Sequence, residues 1–310
     1  MLSYMKIDPA ERAGILSGKI VSREVGEGSK NELAIGIVMF VPAPLEKIVG
    51  AVKTETLLGK DPEIRAFGEL QGDRIRIIDL QEAGFGPKDG DEVDDLLDAA
   101  PGNRFNLAKA EIESFNALKK QVRDAANRTA EVSKLNNQIL HSRFEAYFKG
   151  GLAAIAPYDR GDGVQAKPGD ELTLALKESQ MLAKYFPELQ KALLEFPRSQ
   201  PEGMVHRFFW INQKIEDRPD FILSHRMKYI RPEGAFLAER QYYVGHSYNS
   251  MQILAGCIPM EKGTFVFYSN RTFTDQVAGF ASGMKHSIGR GQMRDEIVKG
   301  FQEIRAAAAR

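Results

Sequence analysis

The amino-acid sequence predicts an α+β fold, a curved antiparallel sheet gripping a long C-terminal helix, with a large helical insertion between the two halves of that unit. Two observations in the last third carry this expectation. Strand-length runs at about 205–215, 221–230, 235–245, 250–258 and 263–270 are separated by turn chemistry: Glu216-Asp-Arg-Pro-Asp220, Arg231-Pro-Glu-Gly234 and Pro259-Met-Glu-Lys-Gly263. Such regular spacing suits a meander. After Asp275 the apolar pattern lengthens to a helical period and continues to about Ala307.

The N-terminal part (residues 1–89) reads as β-β-α-β-β. Gly18 to Val25 alternates weakly, and Leu33 to Val41 is a near-continuous apolar run ended by Pro42. A helix starts at Pro44, which suits a first turn, with Leu45, Ile48, Val49 and Val52 on one stripe. Ile64 to Leu70 and Ile75 to Leu80 read as two further strands. Residues 90–200 form the helical insertion or lid. Acidic side chains from Asp89 to Asp95 crowd the start of a short helix, where the macrodipole favours them; the spacing of a calcium loop fails. One or two long helices span Asn106 to about Gly150, Tyr158 to Gly163 is a loop, and Asp170 to Glu195 is helical with a break at Pro187. Residues 201–310 complete the sheet and supply the closing helix.

Composition excludes several classes. Lys+Arg and Asp+Glu balance at 42 each, against a protein whose affinity comes from neutralising nucleic-acid phosphates. A single cysteine, Cys257, excludes an internal disulfide, and its apolar run Ile253 to Ile258 suits a small buried hydrophobe better than a reactive thiol. No apolar run reaches membrane-spanning length, and the first residues lack the apolar core of a signal peptide. The expected compartment is the cytoplasm, or another from which a targeting segment has been cut away.

Period-2 parity gives each strand two faces. Val205, Arg207, Phe209 and Ile211 share one; Phe221, Leu223, His225, Met227 and Tyr229 share another; so do Phe236, Ala238, Arg240 and Tyr242. Large apolar groups therefore share faces with Arg and His, which are costly in apolar surroundings unless paired. Either these groups are paired structurally, or they hold a polar head group among apolar walls, the usual build of a ligand site. The closing helix adds Val277, Phe280, Met284, Ile288, Ile297, Phe301 and Ile304 as an apolar stripe, with Gly279, Gly283, Gly289, Gly291 and Gly300 along it. Interior glycines cost a helix about 1 kcal/mol each, so a close backbone approach or a break is expected.

The run Val38-Met-Phe-Val-Pro-Ala-Pro-Leu-Glu-Lys-Ile-Val49, the meander and the C-terminal helix with Val298-Lys-Gly-Phe301 together resemble the helix-grip fold of START-related lipid-transfer domains, polyketide cyclases and the Bet v 1 group. The resemblance covers roughly the first and third blocks and implies a cavity between sheet and long helix for a lipid or another hydrophobic or amphipathic molecule, with transient membrane contact. The long helical insertion departs from that pattern.

Catalytic signatures are weak. Ser282-Gly-Met-Lys285 and Tyr268-Ser-Asn270 occur in the inverse order of penicillin-recognising enzymes and without their K-T-G strand. The histidines His141, His206, His225, His246 and His286 lack metal-ligand spacing, and no phosphate-binding or dinucleotide loop is present, so neither metal nor cofactor is expected. The expected ligand contacts are Arg207, His225, Arg240, Tyr242, His246, Asn249, Arg271, Asp275 and His286; Asp275 also suits a helix N-cap. The alternative is a hydrolase or cyclase using His225, His246 or His286 as acid and base. A third reading makes the helical block a surface for partner contact.

Overall fold

The structure is a computed structural model that describes residues 7–51, 58–59, 61–71, 76–122, 124–278 and 282–308. In chain order its elements are α1 Pro9–Leu16, β1 Val21–Glu24, β2 Glu32–Val41, α2 Leu45–Ala51 and β3 Ile64–Leu70. Next come α3 Gly90–Leu97, α4 Lys109–Lys119, α5 Ala125–Gly150, β4 Tyr158–Gly161, β5 Val164–Ala166, α6 Pro168–Glu178, α7 Gln180–Tyr185 and α8 Pro187–Glu195. The chain closes with β6 Val205–Ile215, β7 Arg218–Arg231, β8 Gly234–Val244, β9 Ser250–Met260, β10 Gly263–Phe273 and α9 Ser282–Ala308.

An eight-stranded sheet runs in the order β1-β2-β10-β9-β8-β7-β6-β3, and every pairing in it is antiparallel. The meander β6 to β10 stands within a few residues of its predicted strands. The N-terminal half contributes both edges, β1–β2 on one side and β3 on the other.

Register separates the sheet into two faces. On one, Ile35, Ile37, Met39 and Val41 of β2 join Val266, Cys257 and Ala235 under Phe301 of α9 and Leu45 and Ile48 of α2. Met293, Ile297 and Val298 complete that packing, and Tyr268 meets Phe301 edge-on with centroids 5.0 Å apart. On the other face, Phe208, Trp210, Leu223, Met227, Phe236 and Leu254 pack beneath Leu140, Phe144 and Tyr147 of α5 and Leu172, Leu182 and Leu189 of α6 to α8. Spacings of three and four residues put the three α5 side chains on one stripe. Its Val132 and Ile139 instead join α3 and α4 in a separate cluster, so α5 bridges the sheet to the outer helices.

Several expectations require correction. Ile77–Leu80 is one 3₁₀ turn, not a strand, closed by Arg76 N–H donating to Asp79 at 2.7 Å; Ile75 lies outside the described residues. Tyr158 to Gly163 is part of a hairpin, because Asp162 and Gly163 take φ of 51° and 75°, the positive pair a two-residue turn requires. Residues 170–195 divide into three short helices. Asp275 does not cap α9: Thr274 caps a 3₁₀ turn at Asp275–Val277, and the long helix starts at Ser282. In α9 itself, Met284 and Ile288 are 67% and 56% exposed. The first turns are anchored through polar groups instead: His286 to Glu27 and the Lys30 carbonyl, and Arg290 to Glu27. Gly289 lies on this side, where a Cβ would stand 2.9 Å from Leu33. Val52, Gly279 and Phe280 fall outside the described residues, and nothing is described of the Ile304 side chain.

Candidate functional site

A cavity of about 760 Å³ lies between the sheet and the helices α6 to α8. Its floor is the face carrying Gly36, Phe236, Leu254, Gly256, Phe267, Ser269 and Arg271, and its roof includes Glu178, Met181, Leu182, Phe186 and Leu189. This is the face opposite α9, so the cavity sits under the helical block and not beneath the closing helix. Gly256 explains part of the opening. It pairs with Phe236 on one side and Phe267 on the other, yet a Cβ built on it meets no atom within 4 Å. A side chain here would project into space that the two flanking rings leave unfilled.

Polar groups gather at the edge of this apolar space. Arg271 is buried and donates to Glu32, itself fully buried, and to the Gly26 carbonyl, while its Nε–H has no protein acceptor. Arg23 is paired with Glu11, and Arg231 donates to the Tyr229 hydroxyl and the Glu202 carbonyl. On the opposite face, burial in the cluster under α9 pushes the Cys257 thiol up to about 12, which fits its reading as a small apolar side chain.

The remaining predicted residues occupy other places. Arg240 and His225 sit together, fully buried beneath α5. Arg240 donates to the Tyr147 hydroxyl at 2.9 Å, the Leu193 carbonyl at 2.8 Å and Gln252 at 3.2 Å. His225 Nδ1 lies 2.7 Å from the same hydroxyl, and its Nε2 lies 2.9 Å from His206 Nδ1. Desolvation, with the Arg240 charge second, holds His225 well below the ordinary histidine value, and both act the same way on His206. Tyr242 stacks on Tyr147 at 3.9 Å, and its buried hydroxyl has no partner.

A second cluster closes the sheet end. Arg160 donates to Asp275 at 2.8 Å, Asn106 at 2.6 Å and Asn249 at 3.0 Å, and Asn249 donates in turn to Glu171 at 2.9 Å. Desolvation raises the Glu171 carboxyl above its usual range. Arg160 belongs to an Arg-Gly-Asp tripeptide, and its guanidinium is fully spent inside the protein. His246 lies 3.0 Å from the Ser247 hydroxyl, which donates to the buried Asp220 at 2.6 Å. Arg207 makes two hydrogen bonds to Glu69 on the outer part of β6, and His286 anchors α9. Of the nine predicted contacts, only Arg271 lines the large cavity.

Tyr147, His206, Glu171 and Arg160 were not among the contacts expected from the sequence. Tyr147 lies one turn beyond Phe144 on an apolar stripe, a spacing that signals packing, and its polar role depends on strands some 80 residues away. Among the described residues no group of three or more His, Cys, Asp or Glu could hold a metal ion, and no helix is long and apolar enough to cross a membrane. The acidic start of α3 is consumed by ion pairs: Asp89 with Arg65, Glu92 with Arg218, Asp94 with Arg128 and Asp95 with Arg104. Neither family models, nor curated proteins, nor solved structures show a match to this chain.

Proposed function

We propose that the protein binds or carries an amphipathic, lipid-like small molecule in the cavity between the sheet and helices α6 to α8. The observation that supports this is an apolar space of about 760 Å³, inside the usual range for small-molecule sites, whose floor is left open by a glycine with free room above it. The polar end is supplied by Arg271 and Ser269, which alternate along β10 on the cavity face. Because Glu32 already neutralises Arg271, this polar end suits a hydroxyl or carbonyl head group better than a bare anion. The kinship with helix-grip lipid-transfer domains is part of this proposal; its support is the strand-Pro-helix entry, the meander and the closing helix. Its cavity would then be roofed by the helical insertion in place of the C-terminal helix.

An enzyme using His225, His246 or His286 as base draws no support from this geometry, since none of the three lines the cavity. The binding reading is tested by calorimetry with a series of straight-chain primary alcohols. Each buried methylene contributes about 0.8 kcal/mol, so affinity should rise about four-fold per carbon until the space is filled. An affinity independent of chain length would overturn the reading.

A further inference from the structure

A half-buried carboxylate on the cavity lining lacks a counter-ion. The cations of the lining are already committed: Arg271 to Glu32, Arg23 to Glu11, and Arg231 to the Tyr229 hydroxyl and the Glu202 carbonyl. Glu178 borders the same space and is half-buried. Among the described residues its carboxylate has neither an ion-pair nor a hydrogen-bond partner. Glu233, at the opposite end of the lining, is exposed, and water solvates its charge.

The position of Glu178 is set by α6, of which it is the last residue. Its side chain crosses to the loop between β1 and β2, where a Cβ on Gly28 would stand 2.9 Å from the Glu178 Cγ. The same loop carries Val25 and Gly26, which border the cavity, and the Gly26 carbonyl accepts from Arg271. Glu178 therefore belongs to the Arg271 end of the cavity. Two further features there favour a positive donor. A helix C-terminus carries partial negative charge, so α6 adds to the potential of its last carboxylate. Ser269 faces the cavity from β10, opposite Gly36, and its hydroxyl has no partner among the described residues either; that oxygen can accept as well as donate. A partly desolvated charge without a partner is costly, and a bound cation would remove the cost.

We propose, resting on the reading that this cavity holds an amphipathic ligand, that the ligand is a long-chain primary amine whose ammonium donates to Glu178 and Ser269 while its tail lies over Gly256. A fatty carboxylate is disfavoured: Glu178 repels it, and Arg271 is already neutralised by Glu32.

The test is calorimetry on the full chain at neutral pH with decylamine, 1-decanol and decanoate, three head groups on one tail. Decylamine is expected to bind about ten-fold tighter than decanol, the difference between a charge-assisted and a neutral hydrogen bond, and decanoate should bind most weakly. In Glu178→Gln the advantage of the amine over the alcohol should disappear, and in Gly256→Leu amine binding should be lost. Equal affinities for amine and alcohol, tightest binding of decanoate, an amine advantage that survives Glu178→Gln, or amine uptake that survives Gly256→Leu would each overturn the inference, while the binding reading still stands on the alcohol series. Loss of chain-length dependence in that series would instead remove the binding reading, and this inference with it. The ranking of the three probes needs no variant, so misfolding of Glu178→Gln leaves the inference open to refutation.

Discussion

The two faces of the sheet are built from the same strands and put to different use. Under α9 the odd-numbered positions of β2 pack with Phe301, Ile297 and Met293 in one apolar cluster. Under the helical block, Arg240, His225, Arg271 and Gln252 are interleaved with aromatic side chains, and a large cavity remains. The contrast has a physical origin in the covering elements. The later turns of one long helix lay an apolar stripe along β2, whereas α6 to α8 are short helices around the gap over Gly256. Filled packing stabilises; a face left open at the cost of lost contacts calls for another reason, and ligand binding supplies one.

Four substitution or titration experiments would sharpen or break this contrast. The largest effect is expected at the charged edge of the cavity face. Arg271→Met strands the fully buried Glu32 carboxylate, and denaturant unfolding should show a loss of about 3–5 kcal/mol. A matched pair then compares the faces directly. Phe301→Ala, in the filled face, should cost about 3–5 kcal/mol, while Leu254→Ala, which borders empty space, should cost about 1–2 kcal/mol because little new cavity is created. Equal losses would mean that the two faces are packed alike.

Acid should act mainly through the polar face. His225 is held neutral in the fold, well below its ordinary value of 6.5. Below pH 6.5 the unfolded chain therefore takes up a proton that the folded chain refuses, and stability falls as pH falls. His225 alone contributes a slope of about 1.4 kcal/mol per pH unit in that window. His206 adds in the same direction. Above pH 6.5 both contributions are flat. A melting temperature independent of pH between 6.5 and 5 would contradict a neutral buried pair.

Backbone architecture was far more legible than the site. Strand runs, turn residues and helix periods are local signals, and β6 to β10 follow from them. Even the overlooked α1 had its sign, since Asp8 and Glu11 form a capping box around Pro9. No strand forms at 76–80 because Asp79 turns its carboxylate back onto the Arg76 N–H and closes a 3₁₀ turn. Facing and pairing were harder. Parity correctly put His225 and Arg240 on a mixed face, yet the partners that satisfy them, Tyr147 and the Leu193 carbonyl, come from the helical block. Met284 and Ile288 continue the apolar period of α9 in sequence but lie on its solvent side, since His286 and Gly289 determine which side meets β2. Cavity position depends on which helices lie over which face, and no local pattern encodes that.

The central claim is that the space above Gly256 holds the ligand, and one substitution tests it directly. Gly256→Leu puts a side chain into that space, with its Cβ more than 4 Å from any neighbouring atom in the empty protein. Native mass spectrometry of freshly purified wild-type protein should show a bound amphipathic molecule. The variant, with thermal stability unchanged or raised, should be bare. A variant that keeps the same adduct, or a wild-type protein that carries none and takes up no long-chain alcohol, would contradict the account.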